Sequence, residues 1–279
     1  MIRCAVTVCL VPEARQGPFV FHGDLADGCR RAAAHGFDGI EIFPADADDL
    51  DGMEVRSLLR EHGLRLAAMG TGAGWLRRRL SLTDPDPHER MRARDFVAAV
   101  VDFAGGFGAP AIIGSMQGRV PEGHDREEVL GWLREGLDQL GPRANALEVP
   151  LLYEPLNRYE TNLFNTVDEA LAFLGTLRTQ NVRLLLDLFH MNIEENDIAG
   201  AILRAGRHAG HVHFADTNRN AIGMGHLDVA PIAAALDAIG YTGWVSAEVR
   251  PRPDGETAAA TTITSFRKWF RSEPPTLPC

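Results

Sequence analysis

Glu154, Asp187, the pair His211 and His213, and Glu248 can bind cations or move protons, and each falls within or at the end of a short apolar run. The intervals are 33 residues from Glu154 to Asp187, 26 on to His213 and 35 on to Glu248. Each is about the length of one strand–helix unit, which would set the four side chains at one level on neighbouring strands. Three carboxylates in a small, partly desolvated mouth repel one another unless a counter-charge joins them. A divalent cation supplies it. Three oxygen donors and one imidazole suit Mn2+, the metal expected here, and also Mg2+ or Co2+; Zn2+ is less favoured. Any one of these acids alone reads as a rim carboxylate paired with arginine. Their recurrence at successive strand ends favours the cation.

The stretch LLYEPLNRYE (151–160) shows the pattern at its clearest. LLY reads as a strand buried on both faces. Glu154 follows at its end, Pro155 stops it, and Asn157, Arg158 and Glu160 form a polar turn. His211 and His213 are two apart, so in a strand they point to the same side, and periodicity does not choose between them. His190, three after Asp187 in the following turn, is placed to support the site or meet substrate. Arg219 lies beside Gly223-Met-Gly225. Glycine lets backbone approach a ligand, and the guanidinium is a fork for a carboxylate, phosphate or polarised hydroxyl. Arg119 and His226 are further candidates for a ligand contact. His22, His35, His62, His88, His124 and His208 sit in loops or at helix ends and read as solvated.

Elements must hold these residues. Apolar runs predict strands at 2–10, 39–43, 65–70, 111–115, 150–154, 182–187, 210–216 and 243–249. Helices are predicted at about 24–35, 51–62, 88–107, 125–147, 166–177, 197–205, 229–239 and 255–271. Asp24 and the capping box Thr166-Val-Asp-Glu169 start two of them. Eight strand–helix alternations in 279 residues predict an α/β fold, a closed (β/α)8 TIM barrel whose strand ends share one mouth. An open doubly wound sheet is the alternative, weakened by the absence of a GxGxxG turn after the first strand. The connection 71–90 is long for a strand–helix loop and reads as functional. One domain is expected over 1–271, and 272–279 (SEPPTLPC), with three prolines, as a loose tail.

Composition narrows the partners. The chain is 45% hydrophobic and 24% charged, enough to bury a sizeable core, with a formal net charge of −10. A nucleic-acid surface needs a basic footprint, and the densest basic run, Arg77-Arg-Arg79, is followed by acids, so no nucleic acid is expected. The four cysteines form no CxxC pair or zinc-spaced cluster. That usage fits a reduced, cytoplasmic compartment. The N-terminus does not read as a signal peptide. No apolar run approaches the roughly 18 residues of a membrane span.

Several stretches resemble the sugar isomerase/epimerase barrels related to xylose isomerase: YEPLNRYETN (153–162), LDLFHMNIE (186–194), and HVHFADTNR (211–219) with GMG (223–225). The nearest likeness is to ketose 3-epimerases of the tagatose/allulose type and to the 5-keto-gluconate epimerase branch. GTGAG (70–74), SLTDPD (81–86) and IIG (112–114) also resemble the latter. The resemblance implies that Glu154, Asp187, His213 and Glu248 bind the metal, choosing His213 over His211. It implies that Glu160, His190 and Arg219 touch substrate, and that Glu154 and Glu248 also transfer protons. It further implies a homo-oligomer, dimer or tetramer. Two departures, Ala215-Asp216 in place of the usual Gly-Glu pair and Ile222 in place of a proline, fall in the loop that shapes the pocket and bear on substrate identity.

The chemistry agrees with the resemblance. A hydrogen next to a ketone is too weakly acidic for a carboxylate in water, and a Lewis acid that stabilises the enediolate changes that. One carboxylate then removes the proton and a second returns one to the opposite face. The expected activity is metal-dependent epimerisation of a keto sugar or keto sugar acid. The alternatives on the same scaffold are a lyase (a dehydratase or a carbon-glycoside-cleaving enzyme) and an aldose–ketose isomerase. A DNA-repair endonuclease, against which the net charge of −10 and the sparse histidine ligands argue, and a non-catalytic sugar-binding barrel are the readings from other classes.

Overall fold

Short apolar strands separated by capped helices close on themselves in the computed structural model, which describes residues 1–271. The strands are β1 (Arg3–Cys9), β2 (Phe21–His22), β3 (Gly39–Phe43), β4 (Arg65–Gly70), β5 (Ala111–Ile113), β6 (Leu151–Tyr153), β7 (Val182–Asp187), β8 (Ala209–His213) and β9 (Trp244–Ala247). All pairings are parallel. The order runs β1-β3-β4-β5-β6-β7-β8-β9, and β9 pairs back onto β1 from Arg3↔Trp244 to Val6↔Ala247. This is the expected eight-stranded (β/α)8 barrel. The two-residue β2, not anticipated, pairs only with the end of β1 at Val8↔Phe21.

The helices are α1 (Leu25–His35), α2 (Gly52–Glu61), α3 (Ala73–Arg78), α4 (Pro87–Gly105), α5 (Arg126–Ala146), α6 (Val167–Leu174), α7 (Leu188–Glu194), α8 (Ile198–Ala205), α9 (Val229–Ala238) and α10 (Gly255–Phe270). Aspartates 24, 51, 86, 125, 197, 228 and 254 each accept a backbone N–H as N-cap, and Thr166 with Glu169 forms the capping box. Two short helices differ from expectation. α3 forms inside the long connection after β4 and ends where Arg79 turns left-handed at φ 56°. α7 begins directly at the end of β7, because the Asp187 carboxylate accepts the N–H groups of Phe189 and His190. His190, expected in a turn, therefore stands on the first turn of a helix.

The main apolar core lies between barrel and helices and includes Val6, Ile40, Val97, Leu133, Val212 and Phe266. Inside the barrel a separate cluster, Ala68, Ile112, Leu152 and Leu185, forms a plug. Leu185 is the register partner of His211 and Asp187 that of His213. His211 thus lies level with the plug, and His213 one layer nearer the mouth. Residues 272–279, expected as a loose tail, lie outside the described residues.

Candidate active site

Glu154 and Glu248 sit just past β6 and β9, where the predicted strands ran on but the observed ladders stop. Asp187 and His213 are the last residues of β7 and β8. The four expected residues therefore meet at one mouth, each offering a ligand atom, all within 4.8 Å of one another. His213 Nδ1 is 3.3 Å from Asp187 Oδ2, 3.4 Å from Glu154 Oε1 and 3.7 Å from Glu248 Oε2. Gly114 makes room for this: a Cβ there would meet Glu154 Oε2 at 2.5 Å. Gln117 braces the same strand end, donating to the carbonyls of Gly114 and Glu154 and accepting from the Tyr153 hydroxyl.

The electrostatics of the cluster are those of an anionic cage. Burial pushes the Glu154 carboxyl up, partly offset by His213, while the nearby Glu248 adds to the rise. Burial likewise raises Glu248 against the pull of Arg219 and His213. Burial opposes ionisation of Asp187 too, but His190, His213 and Arg219 hold it well below the ordinary carboxylate range. Burial disfavours the His213 imidazolium, yet Glu41 and Glu248 carry its pKa well above the usual value. Glu154 Oε1 is buried without a hydrogen-bond partner. A fully buried carboxylate oxygen with no donor, facing two more carboxylates and an imidazole, fits a divalent cation.

Beside this cage lie the three residues expected to touch substrate. Asn157 links two of them, with Nδ2 3.2 Å from Glu160 Oε1 and 2.7 Å from His190 Nδ1. The backbone N–H of Asn157 also donates to His190 Nδ1 at 3.3 Å. A backbone N–H can only donate, so Nδ1 is the acceptor nitrogen and the ring proton belongs on Nε2. That Nε2 is buried with no hydrogen-bond partner, on a ring that lines the cleft, and suits a substrate oxygen. Arg219 Nη2 pairs with Glu248 Oε2 at 2.5 Å, and its Nη1 lies 3.6 Å from Glu160. Its carbon Cζ stands 4.9 Å from the centre of the Phe189 ring.

Arg219 owes its place to Asp216, which replaces the acid of the expected Gly-Glu pair. The Asp216 carboxylate accepts the N–H groups of Thr217, Gly223 and Leu227 at 2.7, 2.8 and 3.1 Å. Its carbonyl accepts the N–H of Arg219, which sits left-handed at φ 60°. Gly225 is required here, because a Cβ would meet Asp216 Oδ1 at 2.2 Å.

The cleft above the cage has a volume of about 380 Å3. Phe19, Phe43, Trp75 and Leu156 form its apolar wall, and Glu154, Glu160, His190, His213, Arg219 and Glu248 its polar floor. The long connection after β4 supplies Trp75 and Leu76, as its length suggested. Other expectations end elsewhere. His226 bonds Thr217 Oγ1, and neither it nor Arg119 is among the cleft residues. His35 is paired with Glu256 rather than solvated. Arg158 grips Glu194 at 2.8 Å and ties the turn after β6 to α7. Two residues that the motifs did not single out join the site. Asn157 orients His190, and Glu41, buried in β3, lies 3.2 Å from His213 Nε2.

Known proteins share this architecture. The chain is 33% identical over 238 residues to an L-ribulose 3-epimerase of Methylomonas sp. (strain DH-1), covering 82% of this chain and 81% of that one. It is 29% identical over 259 residues to a 3-dehydro-D-guloside 4-epimerase of Escherichia coli (strain K12), covering 88% and 94%. The crystal structure of a D-allulose 3-epimerase from Methylomonas sp. superposes with a TM-score of 0.79 at 27% identity, covering 96% and 98%. The sequence signature of the xylose isomerase-like TIM barrel matches residues 29–269. With most of its length under that signature, this chain belongs to the xylose isomerase-like TIM barrel family.

Proposed function

We propose that this barrel is a metal-dependent epimerase of a keto sugar or keto sugar acid, and so an isomerase. It inverts the carbon next to the ketone by removing a proton on one face and returning one on the other, through a cis-enediolate. The observation that carries this reading is the cage of Glu154, Asp187, His213 and Glu248, with Glu154 Oε1 left without a donor. The similar epimerases support the same class of substrate.

A divalent cation held by these four residues, Mn2+ by preference, supplies Lewis-acid stabilisation of the negative charge that develops on the substrate oxygens. Glu154 and Glu248 transfer the proton. They project from the ends of β6 and β9, with β7 and β8 between them around the mouth, a separation that supports action from different sides of a bound chain of carbons. Burial raises both carboxyls above the ordinary carboxylate value, which makes each a stronger base than an exposed carboxylate. In a reversible reaction each acts as base in one direction. His190, through Nε2–H, and Arg219 donate to substrate oxygens, and Glu160 accepts a hydrogen bond from a substrate hydroxyl. The apolar wall limits water at the carbanionic carbon.

No redox cofactor is needed, since formula and oxidation state do not change. Among the described residues the cysteines Cys4, Cys9 and Cys29 are free thiols, which suits a reducing cytoplasmic compartment. Among the described residues no helix is long and apolar enough to cross a membrane. A homo-oligomer, dimer or tetramer, accompanies the reading.

The test is a panel of keto sugars and keto sugar acids incubated with the Mn2+-loaded protein, with products examined by mass and by NMR. A product of unchanged mass with one inverted centre next to the ketone is expected. Loss of water or of an aglycone would identify a lyase, and an aldose product an aldose–ketose isomerase.

A further inference from the structure

We infer that Glu41 is a positioning residue for the metal site, acting through His213, and that His211 serves to hold Glu41. The inference rests on the metal-dependent reading above. Glu41 lies in the middle of β3, only 4% exposed. Each of its oxygens meets an imidazole: Oε2 is 3.0 Å from His211 Nε2, and Oε1 is 3.2 Å from His213 Nε2. The two rings, 5.6 Å apart between centroids and nearly perpendicular at 88°, thus share one carboxylate.

The consequence concerns the other nitrogen of His213. Nδ1 faces Asp187, Glu154 and Glu248 at 3.3 to 3.7 Å. A neutral imidazole has one donor and one acceptor nitrogen. A carboxylate on Nε2 keeps the proton there, so the Nδ1 lone pair is the one presented to the cation. It also fixes the ring plane against rotation about its bond to the strand. His211, one layer deeper, contacts the far oxygen of Glu41 and prevents that carboxylate from swinging toward the cage. The two histidines of the HxH pair therefore act in series, one on the cation and one two contacts away.

Glu41, His211 and His213 also offer three ligand atoms within 4.8 Å, which raises a second cation as a rival use. That use would require His213 to ligate through both nitrogens, and a neutral ring has only one lone pair to give. The geometry points to one cation and a supporting carboxylate.

Mn2+ binding to the whole protein, measured by calorimetry, tests this without any substrate. Wild type should bind one Mn2+ per chain. Glu41→Ala should weaken binding about 10- to 100-fold, Glu41→Gln less, because its amide oxygen can still accept one of the two imidazoles, and His211→Ala least. With Mg2+ loaded, the His213 Nε2 proton should be visible by NMR in wild type and lost to exchange in Glu41→Ala. Folded Glu41→Ala with wild-type Mn2+ affinity, or a stoichiometry of two cations, would overturn the inference. If Glu41→Ala does not fold, unchanged affinity in both Glu41→Gln and His211→Ala overturns it instead. A wild-type protein that binds neither Mn2+, Mg2+ nor Co2+ would remove the metal-dependent reading itself.

Discussion

His190 shows how one backbone group decides where a ring proton sits. Asn157 presents two N–H groups to Nδ1, which leaves the ring proton on Nε2, a nitrogen with no hydrogen-bond partner on a ring that lines the cleft. Asn157→Ala removes the side-chain donor and leaves the ring held by the backbone alone. A lost buried hydrogen bond of this kind costs about 1–3 kcal/mol, which predicts a fall in kcat/KM of roughly 5- to 150-fold, with Mn2+ affinity unchanged. Glu154→Gln and Glu248→Gln remove the groups proposed to transfer the proton and should each lower kcat by about 10²–10⁴-fold. Measured Mn2+ content separates loss of proton transfer from loss of the cation. Gly114→Ala adds no polar group, yet its Cβ would occupy the place of the Glu154 carboxylate, so Mn2+ affinity should fall there too. Much at this scale is legible in the sequence. Glu154, Asp187 and Glu248 announce themselves by ending apolar runs about one strand–helix unit apart, with the pair His211 and His213 on the strand between; only the family resemblance chooses His213 from that pair. Glu41 does not, because it sits inside GIEIF with no motif around it, and its partner is 170 residues away. Only closure of the barrel brings them together.

The elements around the site divide into a rigid frame and one tethered loop. Aspartate caps and glycine stops make the main helices readable within a few residues. The short pieces escape that reading. β2 has two residues, and α7 takes its cap from a residue that also ends a strand, so no turn signal separates β7 from it. The loop after β8 depends on Asp216. Burial opposes ionisation of this carboxyl, but the N–H groups of Leu227, Gly223, Thr217 and Gly225 outweigh it and hold its pKa below the ordinary value. A depressed folded pKa means that its stabilisation is present above the unfolded value of about 3.9 and lost as pH falls through the folded one. Protection of the amides of Thr217, Gly223 and Leu227, relative to their intrinsic exchange rates, should therefore fall below about pH 4, before the barrel strands open. Asp216→Asn should loosen the same amides at neutral pH and weaken catalysis through Arg219. Unchanged protection in that variant would contradict the tether.

At the scale of the molecule, the closed parallel sheet gathers residues from every quarter of the chain onto one mouth, and the cation is expected to act as a cross-link among β6, β7, β8 and β9. Binding to the folded state alone stabilises by about 2.7 kcal/mol at 100 times Kd, or roughly 5–10 °C in Tm for a chain of this size. Glu154, Glu248 and His213 all hold protons more tightly than usual when no cation is present. Those protons must leave when a cation binds, so the Tm gain from Mn2+ should shrink as pH falls. Equal gains at pH 8 and pH 5 would contradict the ligand set. The central claim, proton removal next to a ketone by paired carboxylates at this mouth, is tested most directly by NMR in D2O with the Mn2+-loaded protein and a keto sugar or keto sugar acid that it accepts. Deuterium should enter the carbon next to the ketone as the epimer accumulates, and should not enter with Glu154→Gln or Glu248→Gln. Epimer that forms with full retention of the original hydrogen at that carbon would contradict it.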